Sequence, residues 1–446
     1  MELMDYKNSI KYRKQSLIKL LQCLIVNEEA IVGALFDDFK KPAFEAVVTE
    51  TSYVIADLKK TIKNIDRWAK PKRVFPSLLN FPSSDYIYSE PYGKVLIFSA
   101  WNYPYQLALC PLIAAVAAGN QVVLKPSEVA PNTSRILAKI IAEVFDPNHV
   151  SVEEGGVDVA QQLLAQPWDY IFFTGSTIVG KLVAQAAAVH LTPVTLELGG
   201  KNPCIVDSTA DLKLAAKRIV WGKFINAGQT CIAPDYLLVE DSIKELFVNY
   251  LKEELIATYG EDMEASPDFA RIINHKNWLR LTQLMENNKI EFGGTTNESD
   301  YYIAPTLINE PSLESDLMKD EIFGPLLPIL SYKNTVDIKN IVSRYGKPLA
   351  FYVFSTNKKF SKEMIRNFSF GGGCINDTVV HFTNHRLPFG GVGASGMGAY
   401  HGKRSFMTFS HQKPIVVRAN WLDVSIRYAP YKNKLKSIKK LLTWLG

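Results

Sequence analysis

No two cysteines of this chain form a C-x-x-C pair. Cys23, Cys110, Cys204, Cys231 and Cys374 are odd in number and irregularly spaced, which excludes a disulfide framework and argues against a finger or ribbon zinc site. Reduced thiols in a cytoplasmic setting are expected, and no metal. Long apolar runs are also missing. The longest, near Leu107 to Ala118, is broken by Pro111 and is too short to cross a bilayer. Met1 to Asp5 shows no basic stretch leading into an apolar one, so no secretory leader is expected. A large excess of either charge sign is missing too: the formal net charge is +5 over 446 residues, with basic residues scattered until the far C-terminus. That leaves no nucleic-acid footprint and implies no acidic partner.

What the chain does have is ordinary globular material. Hydrophobic residues make up 47% and charged residues 21%, as in soluble folded proteins, and the length calls for two or three domains. Residues from about Asp5 to Trp68 read as helical, with Leu17, Leu20, Leu21, Leu24 and Ile25 at helical spacing and a break at Lys40-Lys41-Pro42. Asp85 to Glu90 alternates like an exposed hairpin strand. From Gly93 the pattern changes to strands at 94–98, 121–125, 170–173, 195–198 and 203–206, separated by helices at 107–118, 132–145 and 177–189. This alternation predicts an α/β fold with a mostly parallel sheet covered on both faces. A strand at 235–239, a helix at 242–259 and a strand at 351–354 predict a second α/β domain. Gly371-Gly372-Gly373 and the run Gly390 to Gly398 read as loops. The chain closes in a basic amphipathic helix, Lys434 to Leu445, with Leu435, Ile438, Leu441, Leu442 and Leu445 on one face.

Two motifs are decoys. Gly391-Val392-Gly393-Ala394-Ser395-Gly396 matches G-x-G-x-x-G, but it follows no strand and no βαβ unit surrounds it, so a tight loop is the better reading. Gly175-Ser176-Thr177-Ile178-Val179-Gly180-Lys181 approaches a phosphate-binding loop, yet Leu182 stands where a magnesium-binding hydroxyl is required. What remains there is a strand ending at Thr174-Gly175-Ser176 before a helix, either a seat for a diphosphate or an ordinary capped turn.

Other segments carry chemistry or a plain structural role. Thr195-Leu196-Glu197-Leu198-Gly199-Gly200 and Gly228-Gln229-Thr230-Cys231 supply a carboxylate and a thiol. A thiol attacks carbonyl carbon, and a carboxylate activates the water that releases the acyl group; a buried cysteine can equally be a small apolar residue. Asn102, in Trp101-Asn102-Tyr103-Pro104, can hold an oxyanion or simply sit in a turn. Lys125 and Glu128 end a strand and can reach ribose hydroxyls or begin a helix. Cys374, with His381, His385 and His401 beyond it, is the rival cluster, and packed histidines fit its spacing better than a metal site. Glu321-Ile322-Phe323-Gly324-Pro325 reads alone as a loop with a buried ring.

In this order, together with Phe173-Thr174-Gly175-Ser176-Thr177 and Pro388-Phe389-Gly390-Gly391, these segments resemble the aldehyde dehydrogenase superfamily over about residues 95 to 410. The short N-terminal region and Gly393 to Gly402 are similar to its class 3 and fatty aldehyde branch. The resemblance implies a catalytic Cys231 forming a thiohemiacetal and then a thioester, Asn102 at the oxyanion, and Glu197 activating water. It implies Lys125 and Glu128 at the adenine-side ribose, Gly175 and Ser176 at the diphosphate, and Glu321 and Phe323 at the nicotinamide end of NAD, with NADP use left open. It implies a cofactor-binding domain (1–73 and 92–198), a catalytic domain (199–404), a small β oligomerisation arm (74–91 and 405–420, with a late strand near Ser405 to Val417), and a tail (421–446). A homodimer follows, acting on medium or long aliphatic or aromatic aldehydes, with Tyr103 and Phe382 among the substrate-lining candidates. The tail would pack over the partner's substrate entrance or make peripheral membrane contact. The competing readings are a cofactor-independent cysteine esterase and a non-catalytic cofactor-binding protein of the same fold.

Overall fold

The computed structural model describes residues 9–423 and 425–445. The expected helix start near Asp5 and the opening residues lie outside the described residues, as do the side chains of Leu441 and Leu445 from the expected tail face. The first helix, Ile10–Val26, is capped by Ser9, whose side chain accepts from Tyr12 N. Glu28–Phe39 follows and stops at Lys40, which takes a left-handed φ of 51° where the charged Lys-Lys-Pro break was read. The chain re-enters a helix at Ala43–Ala46, widens into one π-turn, Val47–Thr51, and continues as Ser52–Trp68. The π-turn carries the fully buried Glu50.

Two sheets form the body. One is six-stranded in the order Gly396–Met397, Val194–Glu197, Tyr170–Thr174, Lys94–Phe98, Gln121–Lys125, Val150–Val152. All its pairings are parallel except the first. The other is seven-stranded: Ile290–Phe292, Thr306–Asn309, Leu326–Tyr332, Tyr236–Glu240, Pro203–Val206, Ala350–Phe354, Gly372–Ile375, again parallel except at the Ile290–Phe292 edge. Central strands such as Lys94–Phe98, from Val95 on, and Ala350–Phe354 are continuous apolar runs because both their faces are covered. Pro104–Ala118 is buried along its whole length, as a helix apolar all round must be. A third sheet pairs Lys72–Val74, Ser83–Pro91 and Ser410–Arg418, all antiparallel. The alternation in the sequence thus corresponds to a mixed α/β fold.

Three local readings are corrected. Gly372–Ile375 is a strand, not a loop. It pairs with the buried Ala350–Phe354 strand, and a Cβ on Gly373 would lie 2.0 Å from Phe351 O, so close pairing overrides glycine's low strand propensity. Within the expected loop 390–398, Gly396–Met397 pairs with Glu197 and Leu196. Gly396 takes a φ of 150°, and a Cβ there would stand 2.3 Å from Leu196 O; the glycines of the decoy motif serve this backbone approach. The late strand begins only at Ser410. Residues Lys403–Thr408 form a helix, which starts where Ser405 Oγ accepts from His401 N at 2.7 Å and Phe406 enters the core. The strands Thr306–Asn309 and Leu326–Tyr332 escape the sequence reading, the second because Pro328 interrupts its apolar run.

Candidate active site

The segment from Glu197 to Cys231 joins the two sheets. Glu197 ends the Val194–Glu197 strand of the first, Pro203–Val206 belongs to the second, and the Leu212–Phe224 helix leads to a short 3₁₀ turn, Ile225–Gly228. Asn226, Ala227 and Gly228 all take positive φ, of 57°, 51° and 74°. Cys231 follows, partly exposed. A web of amides fixes this turn. Asn102 Nδ2 donates to Gln229 O at 3.0 Å, and Asn226 Nδ2 donates to Asn102 O at 2.9 Å and to Gln229 O at 3.1 Å. Gln229 Nε2 donates to Asn226 O and Arg271 O, and Gln229 Oε1 accepts from Ile273 N. Tyr103 OH lies 2.7 Å from Thr230 Oγ1.

Two carboxyl groups act on the thiol. Burial pushes the Cys231 thiol up, and Glu321 and Glu197 push it further, while the backbone N–H groups of Cys231 and Ile232 pull the other way. Glu197 is buried, and neither of its oxygens has a hydrogen-bond partner; burial alone holds its carboxyl well above the usual range. Glu321 is pushed up to about 8, by burial and then by Asp235. Its loop is pinned from several sides. Lys201 Nζ donates to Asp235 Oδ2 at 2.7 Å and to the carbonyls of Leu317 and Asp320 at 3.0 Å each. Asp235 Oδ1 accepts from Ile322 N, and Arg280 Nη2 donates to Ile322 O. A Cβ on Gly199 would fall 1.9 Å from Glu321 Oε2, so any side chain there would have to displace this carboxylate. Phe323, with φ 52°, sets its ring edge-on to Trp101 at 5.2 Å.

A second group lines the C-terminal ends of the first sheet, where parallel α/β folds bind ligands. Lys125 ends its strand and pairs with Glu128. Gly175 N donates to Glu197 O at 3.0 Å, and Ser176 caps the Thr177–Val189 helix, leaving first-turn N–H groups suited to an anion. Glu321 Oε1 is buried without a partner, an acceptor free for a hydroxyl. Donor helix start, Lys–Glu pair and orphan acceptor together fit a dinucleotide.

The fold therefore brings Cys231, Glu197, Asn102, Glu321 and Phe323 into one neighbourhood and sets Lys125, Glu128, Gly175 and Ser176 along the adjoining strand ends. Sequence reasoning missed Asn226 and Gln229 as organisers, although Asn-Ala-Gly is a turn signal, and it missed Lys41, Glu45 and Glu50, whose roles have no local signature. Among the described residues, no group of three or more His, Cys, Asp and Glu side chains is arranged to hold a metal. Cys374 Sγ instead lies 3.5 Å from His381 Nδ1, and His401 stacks on Phe389.

Two parallel-sheet α/β layers joined by a segment that sets a thiol between buried carboxyls define a class of nucleotide-dependent α/β enzymes. The comparisons with known proteins narrow this. The chain belongs to the aldehyde dehydrogenase family, whose family model matches residues 6–415, and it falls in the class 3 branch. It is 46% identical over 432 residues to 4,4'-diaponeurosporen-aldehyde dehydrogenase of Staphylococcus aureus (strain NCTC 8325 / PS 47), covering 96% of this chain and 94% of that protein. It is 46% identical over 429 residues to the rat (Rattus norvegicus) "aldehyde dehydrogenase, dimeric NADP-preferring", covering 96% and 95%. The solved structure titled "Substrate bound state of Staphylococcus Aureus AldH" superposes with a TM-score of 0.96 at 46% identity, over 98% of this chain and 96% of that one.

Proposed function

We propose that this chain oxidises medium- or long-chain aliphatic or aromatic aldehydes to carboxylic acids with NAD or NADP, through a covalent thioester on Cys231. Glu197 carries the reading: a buried carboxyl group with both oxygens unpartnered, close enough to Cys231 to oppose its ionisation. Such a group has no structural partner to serve and is free to take a proton from water.

In this mechanism the Cys231 thiolate attacks the aldehyde carbon, forming a C–S bond and an oxyanion. The Asn102 amide and the Cys231 backbone N–H stabilise the negative oxygen. The bound nicotinamide supplies a hydride acceptor. When the oxyanion collapses, the C–H electron pair leaves and Cys231 holds a thioester. Glu197 then takes a proton from water, hydroxide adds to the acyl carbon, and the C–S bond breaks to release the acid. Lys125 and Glu128 would hold the adenine-side ribose, Gly175 and Ser176 the diphosphate, and Glu321 the nicotinamide ribose, with Phe323 packing near that ring. The N-terminal residues and first sheet (1–73, 92–198) would form the cofactor-binding domain and residues 199–404 the catalytic domain. Glu128 favours a free 2′-hydroxyl, whereas Lys125 beside it offers a cation to a 2′-phosphate, and the rat relative's name points to NADP; both cofactors are expected to serve. The S. aureus relative's name supports a long apolar substrate.

A homodimer is proposed from the same rat name and from the open edge of the Ser410–Arg418 strand. Unpaired cysteines fit a cytoplasmic protein, and the basic amphipathic tail fits peripheral membrane contact; no described helix is long and apolar enough to cross a membrane.

The test is absorbance of the reduced nicotinamide with a medium-chain aldehyde and NAD or NADP in parallel. Cys231→Ala is expected to lower kcat by about 10³-fold or more. Oxidation that persists in this variant would refute the thiol mechanism.

A further inference from the structure

The three positive-φ residues before Cys231 form a conformation that side-chain-bearing residues rarely adopt and that persists only when its surroundings over-determine it. Part of that restraint comes from far away. Glu45, on the short Ala43–Ala46 helix, accepts a hydrogen bond from Asn226 N at 2.9 Å. Asn226 is the residue whose side chain ties the Asn102 loop to the Cys231 turn, through Asn102 O and Gln229 O. The same N-terminal segment grips this region twice more. Glu50 accepts from Tyr105 N and Gln106 N at the start of the Pro104–Ala118 helix, and Lys41, paired with Glu50 at 2.7 Å, sits 4.0 Å over the Tyr103 ring.

We propose that Glu45 is a positioning residue: its carboxylate fixes the Asn226 turn, and through Asn226 it sets the Asn102 amide relative to the Cys231 thiol. The inference rests on the roles proposed above for those two residues. An ionised carboxylate holds an N–H more strongly than a neutral acid does, so the grip depends on Glu45 charge. Burial of its carboxyl end pushes Glu45 up, Lys41 and the Asn226 N–H pull it down and Asp268 pushes it up, for a result of about 7; the Tyr103 and Tyr259 hydroxyls face the same carboxyl. The stability this residue contributes is therefore fully present below pH 4.5 and lost as pH rises to about 7. At pH 8 its charge opposes stability while it organises the turn.

Full-length Glu45→Gln and Glu45→Ala proteins test this, with NAD-linked aldehyde oxidation measured from pH 6 to 9, iodoacetamide alkylation of Cys231 followed by mass spectrometry, and Tm at pH 8. Glu45→Gln is expected to lower kcat about 5- to 20-fold and Glu45→Ala about 100-fold, with the KM for cofactor unchanged. The wild-type kcat inflection near pH 7 should vanish in Glu45→Gln, the alkylation rate should shift about 3-fold or more, and its Tm at pH 8 should match or exceed wild type. Wild-type kcat with the inflection retained would overturn the proposal, as would a kcat loss that follows a Tm loss while alkylation is unaltered. If Cys231→Ala kept the oxidation, the catalytic reading would fall, whereas a changed alkylation rate in Glu45→Gln would still support the positioning of the thiol.

Discussion

Burial holds the Glu197 carboxyl and the Cys231 thiol in their neutral forms, with Glu321 and Glu197 adding to the effect on the thiol, and the chemistry proposed needs both ionised. Activity should therefore rise with pH: wild-type kcat/KM is expected to climb from pH 6 to 9, followed by initial rates at saturating cofactor. Glu197→Gln isolates the second half of the reaction. It keeps the side-chain shape and removes the base, so hydride transfer should proceed once and hydrolysis stall. Stopped-flow absorbance should show a burst of reduced cofactor near one per active site, with steady-state kcat reduced by about 10²-fold or more. A linear progress curve without a burst, at wild-type rate, would remove Glu197 from the mechanism. At this scale the sequence was informative for residues carried by short distinctive strings, such as Glu197-Leu198-Gly199-Gly200 and Gly228-Gln229-Thr230-Cys231. It was silent about Glu45, a surface-like glutamate in a helical stretch, whose partner lies 181 positions away.

Among the elements, the turn 226–228 and the loop 321–325 are the ones under constraint. Gly228 has φ 74°, and a Cβ there would meet Gly324 O at 2.3 Å. Gly228→Ala should cost about 2 kcal/mol or more, combining left-handed strain with a backbone clash, and should lower activity through the displaced thiol. Gly33, helical with nothing within 4 Å of its added Cβ, provides the control: Gly33→Ala should be neutral or stabilising by up to about 1 kcal/mol. Chemical denaturation of both variants checks the pair, and equal losses would contradict the assignment of strain to the turn. Helices and buried strands were legible because apolar periodicity and punctuation by Gly, Pro and Asn are local. The Gly372–Ile375 strand was not, because glycines carry no periodicity and only the neighbouring Ala350–Phe354 strand makes them pair.

For the whole molecule, the outer edge of Ser410–Arg418 has no pairing strand among the described residues, and Ile415, Val416 and Val417 are exposed on it. Such an edge invites another chain. Sedimentation equilibrium should report twice the 50.0 kDa chain mass. The Leu435–Leu445 helix presents exposed Leu435 and Leu442 alongside Lys436, Lys439 and Lys440. Truncation after Pro430 should leave the dimer intact and abolish co-sedimentation with anionic vesicles. A monomer, or vesicle binding unchanged by truncation, would refute the corresponding half.

The sequence by itself determined the α/β alternation, the helical N-terminus and the residue strings that carry the chemistry, since these depend on side-chain periodicity and local backbone preference. Only the tertiary structure decided which of those strings meet. The order of strands in each sheet, the pairing of Gly396 with Glu197, and the reach of Glu45 to Asn226 depend on long-range hydrogen bonds and shared burial. Those interactions act between residues far apart along the chain and leave no mark in the composition or spacing of either partner.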